Sequence, residues 1–324
     1  MKKLQKLMNN IAEWSNSEFG KGQRNPAIMN IQSISIVVPT KKCVNNCKFC
    51  VSRMHDNPFE NHFDEFQIKK RIRFAINNNV NTCIITGTGE PLQNREFLNK
   101  LWSLFKKMDH PFPNVEFQTS GVMLMDHRTV NDVFTKEETQ IYDNISLLKY
   151  LGVNTISLSI SDLFNSDNNL EIMGVPKILR FNLKDLCKFI KDNGFNLRLS
   201  LNMSKIYNGK EPKRILTYCK NLGADQVTFR KLYYSNDNSP QTRWVKENKI
   251  NPFFFSKIYN YIEKKGTPCY KLPFGPIAYS IMKMTVVVDN DCMNKDNIEN
   301  LKYVILRENG KLYCQWDDEG SLIF

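Results

Sequence analysis

The sequence predicts an α/β fold built around a parallel sheet, and three observations support this prediction. Six strand-like segments are each followed by a helix or by a segment of helical length, the alternation typical of parallel strands joined by crossover helices. Three of the predicted helices end at a glycine, namely Gly152, Gly194 and Gly223, a residue favoured just past a helix C-terminus. The chain has 324 residues, 41% of them hydrophobic, which is enough for one large domain with appendages.

Local patterns give the order of the predicted elements. The first strand is an apolar run at 32–38, and the helix at 94–108 repeats its apolar residues at helical spacing until His110-Pro111 ends it. The strands are predicted near 32–38, 82–86, 115–119, 154–160, 196–203 and 226–232. The helices are predicted near 63–78, 94–108, 136–151, 183–193 and 211–222.

Polar and apolar residues alternate within the later strands. In the strand at 196–203, three leucines alternate with Arg198, Ser200 and Asn202, and the strand at 154–160 alternates in the same way. A parallel strand that helices cover on both faces has a continuous apolar run instead. The alternation therefore predicts that one face of the sheet lines a polar cavity, as in a barrel. A sheet face open to water is the alternative.

Three cysteines follow the first strand on one short loop. Cys43, Cys47 and Cys50 are separated by three residues and then by two. Cysteine thiolates are the usual protein ligands of iron–sulfur clusters, and three of them can hold three irons of a cubane while the fourth stays open to another ligand. Zinc is the competing interpretation, but a structural zinc site wants four ligands, usually as two pairs, and the sequence has no second C-x-x-C pair. Three unrelated core cysteines are a further alternative.

A glycine-rich turn, Thr86-Gly87-Thr88-Gly89-Glu90-Pro91, follows the second predicted strand. Glycines at the carboxyl end of a strand let the backbone approach a ligand closely, and Pro91 suits the first position of a helical segment. An ordinary turn between a strand and a helix is the alternative. The cysteine loop, one strand–helix unit earlier, favours the ligand-binding interpretation.

The cysteine spacing, with Phe49 before the last cysteine, and the turn from Gly87 to Pro91 together resemble the motifs of the radical S-adenosylmethionine (SAM) superfamily. The resemblance covers roughly residues 30–235. It implies a partial (β/α)6 TIM-like barrel, to which we expect this chain to add an N-terminal helix and a C-terminal α+β extension. It also implies two cofactors, a [4Fe-4S] cluster and SAM. An electron from the cluster cleaves the sulfonium of SAM and releases a 5′-deoxyadenosyl radical.

The same resemblance implies roles for individual residues. Cys43, Cys47 and Cys50 would bind the cluster, and Phe49 would lie against the adenine of SAM. The other SAM-binding candidates lie in the glycine-rich turn or on strands whose carboxyl ends bind ligands in such folds. They are Gly87, Thr88, Gly89, Glu90, Ser120, Ser159, Arg198 and Asn202. Glu116 and Arg230 are the candidates for substrate binding.

The chain has a formal net charge of +12, which favours an anionic partner. We therefore expect a nucleotide or nucleic acid as substrate, with a peptide or protein as the alternative. The same charge suits an acidic electron donor such as flavodoxin or ferredoxin. Codon bias in a chain rich in Lys, Asn and Ile is another explanation of the charge. A non-enzymatic nucleic-acid-binding protein with a structural metal is the alternative from a different class.

Cellular location follows from apolar runs and cysteine usage. No run approaches the ~18 apolar residues that span a membrane, and polar residues interrupt the basic start of the chain, so that no signal peptide is predicted. The nine cysteines do not form the pattern of a secreted disulfide framework. We expect a cytoplasmic protein without membrane association.

The predicted organisation has three parts. They are an N-terminal helical extension over 1–30, a radical SAM core over 31–235 and a C-terminal cap or extension over 236–324. In the last part, Asn309-Gly310 predicts a two-residue hairpin turn. Cys269, Cys292 and Cys314 are far apart and are interpreted as packed thiols, with an auxiliary cluster or a hydrogen donor to a product radical as alternatives. Neither the substrate nor the net reaction follows from the sequence.

Overall fold

A computed structural model of the protein describes residues 30–54, 63–124, 143–272, 275–289, 300–316 and 318–324. The strands are β1 (Asn30–Ile31), β2 (Ser33–Val38), β3 (Thr82–Gly87), β4 (Asn114–Thr119), β5 (Thr155–Ile160), β6 (Asn196–Met203), β7 (Gln226–Lys231), β8 (Thr267–Lys271), β9 (Ile277–Ile281), β10 (Met284–Asp289), β11 (Asn300–Leu301), β12 (Val304–Leu306) and β13 (Leu312–Tyr313). The α-helices are α1 (Glu65–Asn77), α2 (Arg95–Lys107), α3 (Asn144–Tyr150), α4 (Ser166–Ile172), α5 (Leu183–Asp192), α6 (Pro212–Asn221), α7 (Pro240–Asn248) and α8 (Pro252–Lys265).

Capping residues explain where several helices begin. The Asn94 side chain accepts a hydrogen bond from the Phe97 N–H at 3.0 Å, which satisfies one of the free N–H groups at the start of α2. A proline occupies the first position of α6, α7 and α8, where its missing N–H costs nothing. No described helix combines the length and the apolar character needed to cross a membrane.

The core of the molecule is a run of six parallel strands, β2 to β7, which lie side by side in chain order. Helices connect successive strands, as the sequence predicted, and the sheet does not close on itself among the described strands. The fold is therefore α/β with a partial barrel. The predicted N-terminal helix lies outside the described residues, as do residues 136–142 of the helix predicted at 136–151.

The C-terminal segment extends both edges of this core. Strand β12 pairs in parallel with β2, and β10 pairs in parallel with β7. The six core strands, β12 and β10 thus form a set of eight adjacent parallel strands. Beyond this set, β13 pairs antiparallel with β12 at one edge, and β9 and then β8 pair antiparallel at the other. The segment expected as a cap thus supplies strands to the sheet itself.

A buried ion pair joins the two ends of the parallel set. Asp289 ends β10, and Lys302 lies just before β12; the carboxylate and the ammonium are 3.0 Å apart, with 8% and 18% of the two side chains exposed. Because β10 and β12 lie at opposite ends of the eight parallel strands, this contact requires the sheet to curl until those ends nearly meet. Side chains bridge a gap that backbone hydrogen bonds would fill in a closed barrel.

The two faces of the core strands differ as the alternation predicted. Leu197, Leu199 and Leu201 of β6 are fully buried in the main hydrophobic core. On the other face, Arg198 of β6 contacts Glu116 of β4 across the intervening strand β5. A contact between alternate strands places these polar side chains on the inner face of the curved sheet.

Several details differ from the sequence-based expectation. Helix α4, between β5 and α5, was not predicted, and neither were helix α7 and strands β8 and β9. The turn between β12 and β13 is one residue longer than predicted, because the Arg307 N–H donates to the Lys311 carbonyl at 3.0 Å and encloses three residues. Gly310 closes this loop with a φ of +72°, which is the geometry of a three-residue hairpin turn rather than a two-residue one.

Candidate active site

The cysteine loop, residues 43–50, follows the carboxyl end of β2. Cys43, Cys47 and Cys50 are free, partly buried thiols, and the Cys50 N–H donates to the Cys47 carbonyl at 3.3 Å. Across the described part of the chain, no three His, Cys, Asp or Glu side chains are close enough together to hold a single metal ion. The three thiols nevertheless share one short loop beside the carboxyl end of β2.

The glycine turn, residues 87–91, packs directly against the first cysteine. The Thr40 N–H donates to the Thr88 hydroxyl at 3.2 Å. A Cβ placed on Gly89 would lie 2.9 Å from the Cβ of Cys43 and 2.9 Å from Cγ2 of Thr40, closer than real side chains approach. Gly89 is therefore needed for this contact, and the two predicted motifs touch each other.

Glu90 connects the glycine turn to the end of β4. Its buried carboxylate accepts hydrogen bonds from the Thr119 hydroxyl at 2.7 Å, the Ser120 N–H at 3.0 Å and the Ser120 hydroxyl at 2.6 Å. Burial raises the pKa of Glu90, and these hydrogen bonds partly offset that effect. The carboxylate and the Ser120 hydroxyl, both predicted to contact SAM, thus bind each other.

Helix α4 holds the cysteine loop from the other side. The Asn46 N–H donates to the Gly174 carbonyl at 3.2 Å, and the Lys48 N–H donates to the Ile172 carbonyl at 3.0 Å. Gly174 has a φ of +60°, and a Cβ there would lie 2.3 Å from the Asn46 carbonyl oxygen. Sequence reasoning missed this residue; a glycine two positions after a helix was the one signal available.

An apolar wall surrounds the second cysteine. Cys47 and Phe49 pack against the buried side chains of Val122, Leu170 and Met173, and the Phe49 ring lies 6.1 Å from the ring of Trp244. Burial, followed by the charges of Cys50 and Cys43, raises the pKa of Cys47, and burial also raises the pKa of Cys43. Because metal ligation needs thiolates, a bound metal would have to displace these protons.

Polar residues line the inner face near the carboxyl ends of β5, β6 and β7. The Asn202 amide donates to the Ser159 hydroxyl at 2.9 Å, and Arg230 is the register partner of Asn202 on the next strand. Within the described residues, the buried Ser200 Oγ and Arg230 Nε have no hydrogen-bond partner. Leaving buried polar atoms unpaired is costly, so this surface fits a polar ligand.

Arg198 and Glu116 lie away from the carboxyl ends of the strands. Arg198 is five residues before the end of β6, which at about 3.3 Å per residue is ~16 Å from the carboxyl end. Its guanidinium bonds the Glu116 carboxylate and the Gln226 amide, the latter at 2.7 Å. These two side chains, predicted for SAM and for substrate, are brought to each other and not to the cysteine loop.

Comparisons with known proteins agree with this architecture. The model of the Radical SAM superfamily matches residues 37–219. The crystal structure of SuiB from Streptococcus suis, bound to precursor peptide SuiA, aligns with a TM-score of 0.52 at 14% identity and covers 97% of this chain; this chain spans 63% of SuiB. Native anSMEcpe with bound AdoMet (SAM) and a peptide gives a TM-score of 0.51 at 13% identity, over 87% of this chain and 74% of that one.

A search of curated proteins by sequence finds no match. At these identities the two solved structures support the fold alone. The family model carries more weight, because it covers more than half of the chain, from β2 through α6. Enzymes of this family use a [4Fe-4S] cluster and SAM. The chain therefore belongs to the radical SAM superfamily.

Proposed function

We propose that Cys43, Cys47 and Cys50 bind the [4Fe-4S] cluster, and that SAM binds between the glycine turn and the inner face of the sheet. The contact of Gly89 with Cys43 carries this proposal, because it joins the cysteine loop to the predicted SAM-binding turn. When bound, the cluster supplies the electron that cleaves SAM to a 5′-deoxyadenosyl radical, which abstracts a hydrogen atom from the substrate.

The residues of this chain have distinct roles in the proposal. Gly87, Thr88 and Gly89 present backbone groups to SAM, and Phe49 lies against the adenine. Ser159 and Asn202, already paired with each other, bind the ribose and carboxylate. Glu90 positions the end of β4 through Ser120 and Thr119, while the apolar wall around Cys47 excludes water from the cluster.

A peptide is the substrate class that we propose. One observation supports it: both SuiB and anSMEcpe hold peptides in the solved structures. The buried Arg230 Nε has no partner among the described residues, and a guanidinium at the carboxyl end of β7 suits the carboxylate of a peptide or the phosphate of a nucleotide, because Arg binds both groups in a two-pronged geometry. A nucleotide or nucleic acid is the second candidate, favoured by the net charge of +12. The charge also supports an acidic protein, such as flavodoxin or ferredoxin, as electron donor.

The test of the chemistry is SAM cleavage. The protein is reconstituted with iron and sulfide without oxygen and mixed with SAM and dithionite, and 5′-deoxyadenosine is measured by chromatography and mass. Cys47→Ala should abolish the product, whereas Cys269→Ala, which removes an exposed thiol on β8, should not. Equal product from the wild type and Cys47→Ala, or none from either, would refute the ligand assignment.

The substrate class has its own test. Cells are grown in deuterated medium, and the peptide and nucleic-acid fractions of their extract are added to separate SAM-cleavage reactions. The deuterium content of the 5′-deoxyadenosine is then measured. Label from the peptide fraction supports the proposal, and label from the nucleic-acid fraction alone selects the second candidate.

A further inference from the structure

One side chain bonds both peptide groups that flank the first cysteine. Gln93 lies in a short 3-10 turn, Pro91–Gln93, directly after the glycine turn. Its Oε1 accepts a hydrogen bond from the Val44 N–H at 2.7 Å, and its Nε2 donates to the Lys42 carbonyl at 3.1 Å. Cys43 lies between these two bonded peptide groups.

We propose that Gln93 is a positioning residue that fixes Cys43 in the orientation needed to bind iron. The inference rests on the proposed role of Cys43 as a cluster ligand. Two hydrogen bonds of opposite direction, one on each side of a residue, restrict both its position and its rotation. An amide supplies a donor and an acceptor together, which neither a carboxylate nor an alkyl side chain of similar size can do.

The base of this clamp is rigid. The next residue, Asn94, donates from its amide to the Pro39 carbonyl at 2.8 Å, while its oxygen caps the first turn of α2. Helix α2 is anchored in turn by Leu98 and Leu101, which are completely buried in the core. The Gln93 side chain is itself exposed, but its backbone leads directly into a packed helix, so that its amide can fix the position of the peptide groups beside Cys43.

The clamp differs from the other contact with Cys43. Gly89 packs against one side of Cys43, and the hydrogen bonds to helix α4 hold the loop further along, at Asn46 and Lys48. The two hydrogen bonds of Gln93 act on the peptide groups directly beside Cys43. Partners that orient a metal ligand commonly change metal affinity by about 10- to 100-fold when they are removed, and we expect an effect of that size here.

Two variants and a matched control test the proposal. Gln93→Leu removes both hydrogen bonds at similar volume, and Gln93→Glu keeps the acceptor for Val44 but loses the donor to Lys42. Asn154→Leu is the control, because its amide also donates once and accepts once, to the Pro113 carbonyl and from the Thr155 hydroxyl at 3.1 Å each, at the opposite end of the strands.

The first measurement uses the metal-free protein, so that it does not depend on the proposed cluster. The alkylation rates of Cys43, Cys47 and Cys50 are followed by mass spectrometry. We expect a several-fold faster reaction at Cys43 in Gln93→Leu, a smaller increase in Gln93→Glu and none in Asn154→Leu. Unchanged rates at Cys43, or an equal increase at all three cysteines, would overturn the proposal.

The second measurement follows iron loss from the reconstituted protein to a chelator. Gln93→Leu should lose iron about 10- to 100-fold faster than the wild type, with Gln93→Glu between them and Asn154→Leu unchanged. Equal rates in all four proteins would contradict the positioning role. A wild type that binds no iron would refute the proposed function instead, and the alkylation rates would still decide the role of Gln93.

Discussion

Replacing Gly174 with alanine tests how firmly helix α4 holds the cysteine loop. The new Cβ would lie 2.3 Å from the Asn46 carbonyl oxygen and 2.6 Å from its carbonyl carbon. Both are backbone atoms, so rotation of a side chain cannot relieve the contact. The substitution must therefore separate the loop from the helix end and break the two hydrogen bonds between them.

Gly194 provides a matched control for the backbone conformation. It follows α5 at the position where Gly174 follows α4, its φ is +84°, and a Cβ there would meet nothing within 4 Å. Gly194→Ala should lower the free energy of unfolding by about 1–2 kcal/mol, because alanine is less stable than glycine in the left-handed conformation. Gly174→Ala should add the loss of two hydrogen bonds at about 1 kcal/mol each, for a total of about 3–4 kcal/mol.

Equilibrium unfolding in urea measures this difference. The metal-free proteins are compared under reducing conditions, with fluorescence and circular dichroism followed together to check for a single transition. We expect the Gly174→Ala midpoint to fall well below that of Gly194→Ala at similar slope. Equal losses in the two variants would show that the loop adapts freely to the added methyl, which would refute the tight contact.

Three further results are expected. Arg198→Met leaves the buried carboxylate of Glu116 without its cation and should lower the free energy of unfolding by about 3 kcal/mol; a double variant with Glu116→Gln should recover part of it, and no recovery would argue against the pair. Because burial raises the pKa of Glu90, the folded protein binds a proton more tightly than the unfolded chain, and stability should fall as pH rises through that raised pKa. Parallel pH curves for wild type and Glu90→Gln would contradict this. Since burial raises the pKa of Cys47, iron binding should release protons, and the affinity for iron should increase with pH. Iron titrations at two pH values measure this, and the same affinity at both would contradict the prediction.

The sequence predicted what local pattern determines. Strand β6 has the predicted bounds, and the alternation of Arg198, Ser200 and Asn202 with leucines identified its inner face. The partnership of Arg198 with Glu116 could not be predicted, because it depends on the curvature of the sheet across β5. An alternation pattern gives the face of a residue but not its height above the cysteine loop.

The residues that contact the cysteine loop from elsewhere in the chain left little or no signal in the sequence. Gln93 and Gly174 contact the loop through backbone groups of Lys42, Val44 and Asn46. Such contacts join segments about 50 to 130 residues apart and leave no periodicity, since any residue type presents the same backbone groups. The motifs predict which cysteines bind a cluster, and the structure shows which residues contact their loop.

The pairing of β2 with β12 has a consequence for the order in which the protein matures. Strand β2 leads directly into the cysteine loop, and its neighbours are β3, from nearby in the chain, and β12, whose first residue is Val304. During translation, the outer edge of β2 stays unpaired until residues 304–306 have been made, long after the three cysteines have emerged. An unpaired strand edge readily accepts foreign strands. The loop thus acquires its full support only after residue 306 has been made, and until then a nascent chain would present the three cysteines on a strand that lacks one of its two neighbours.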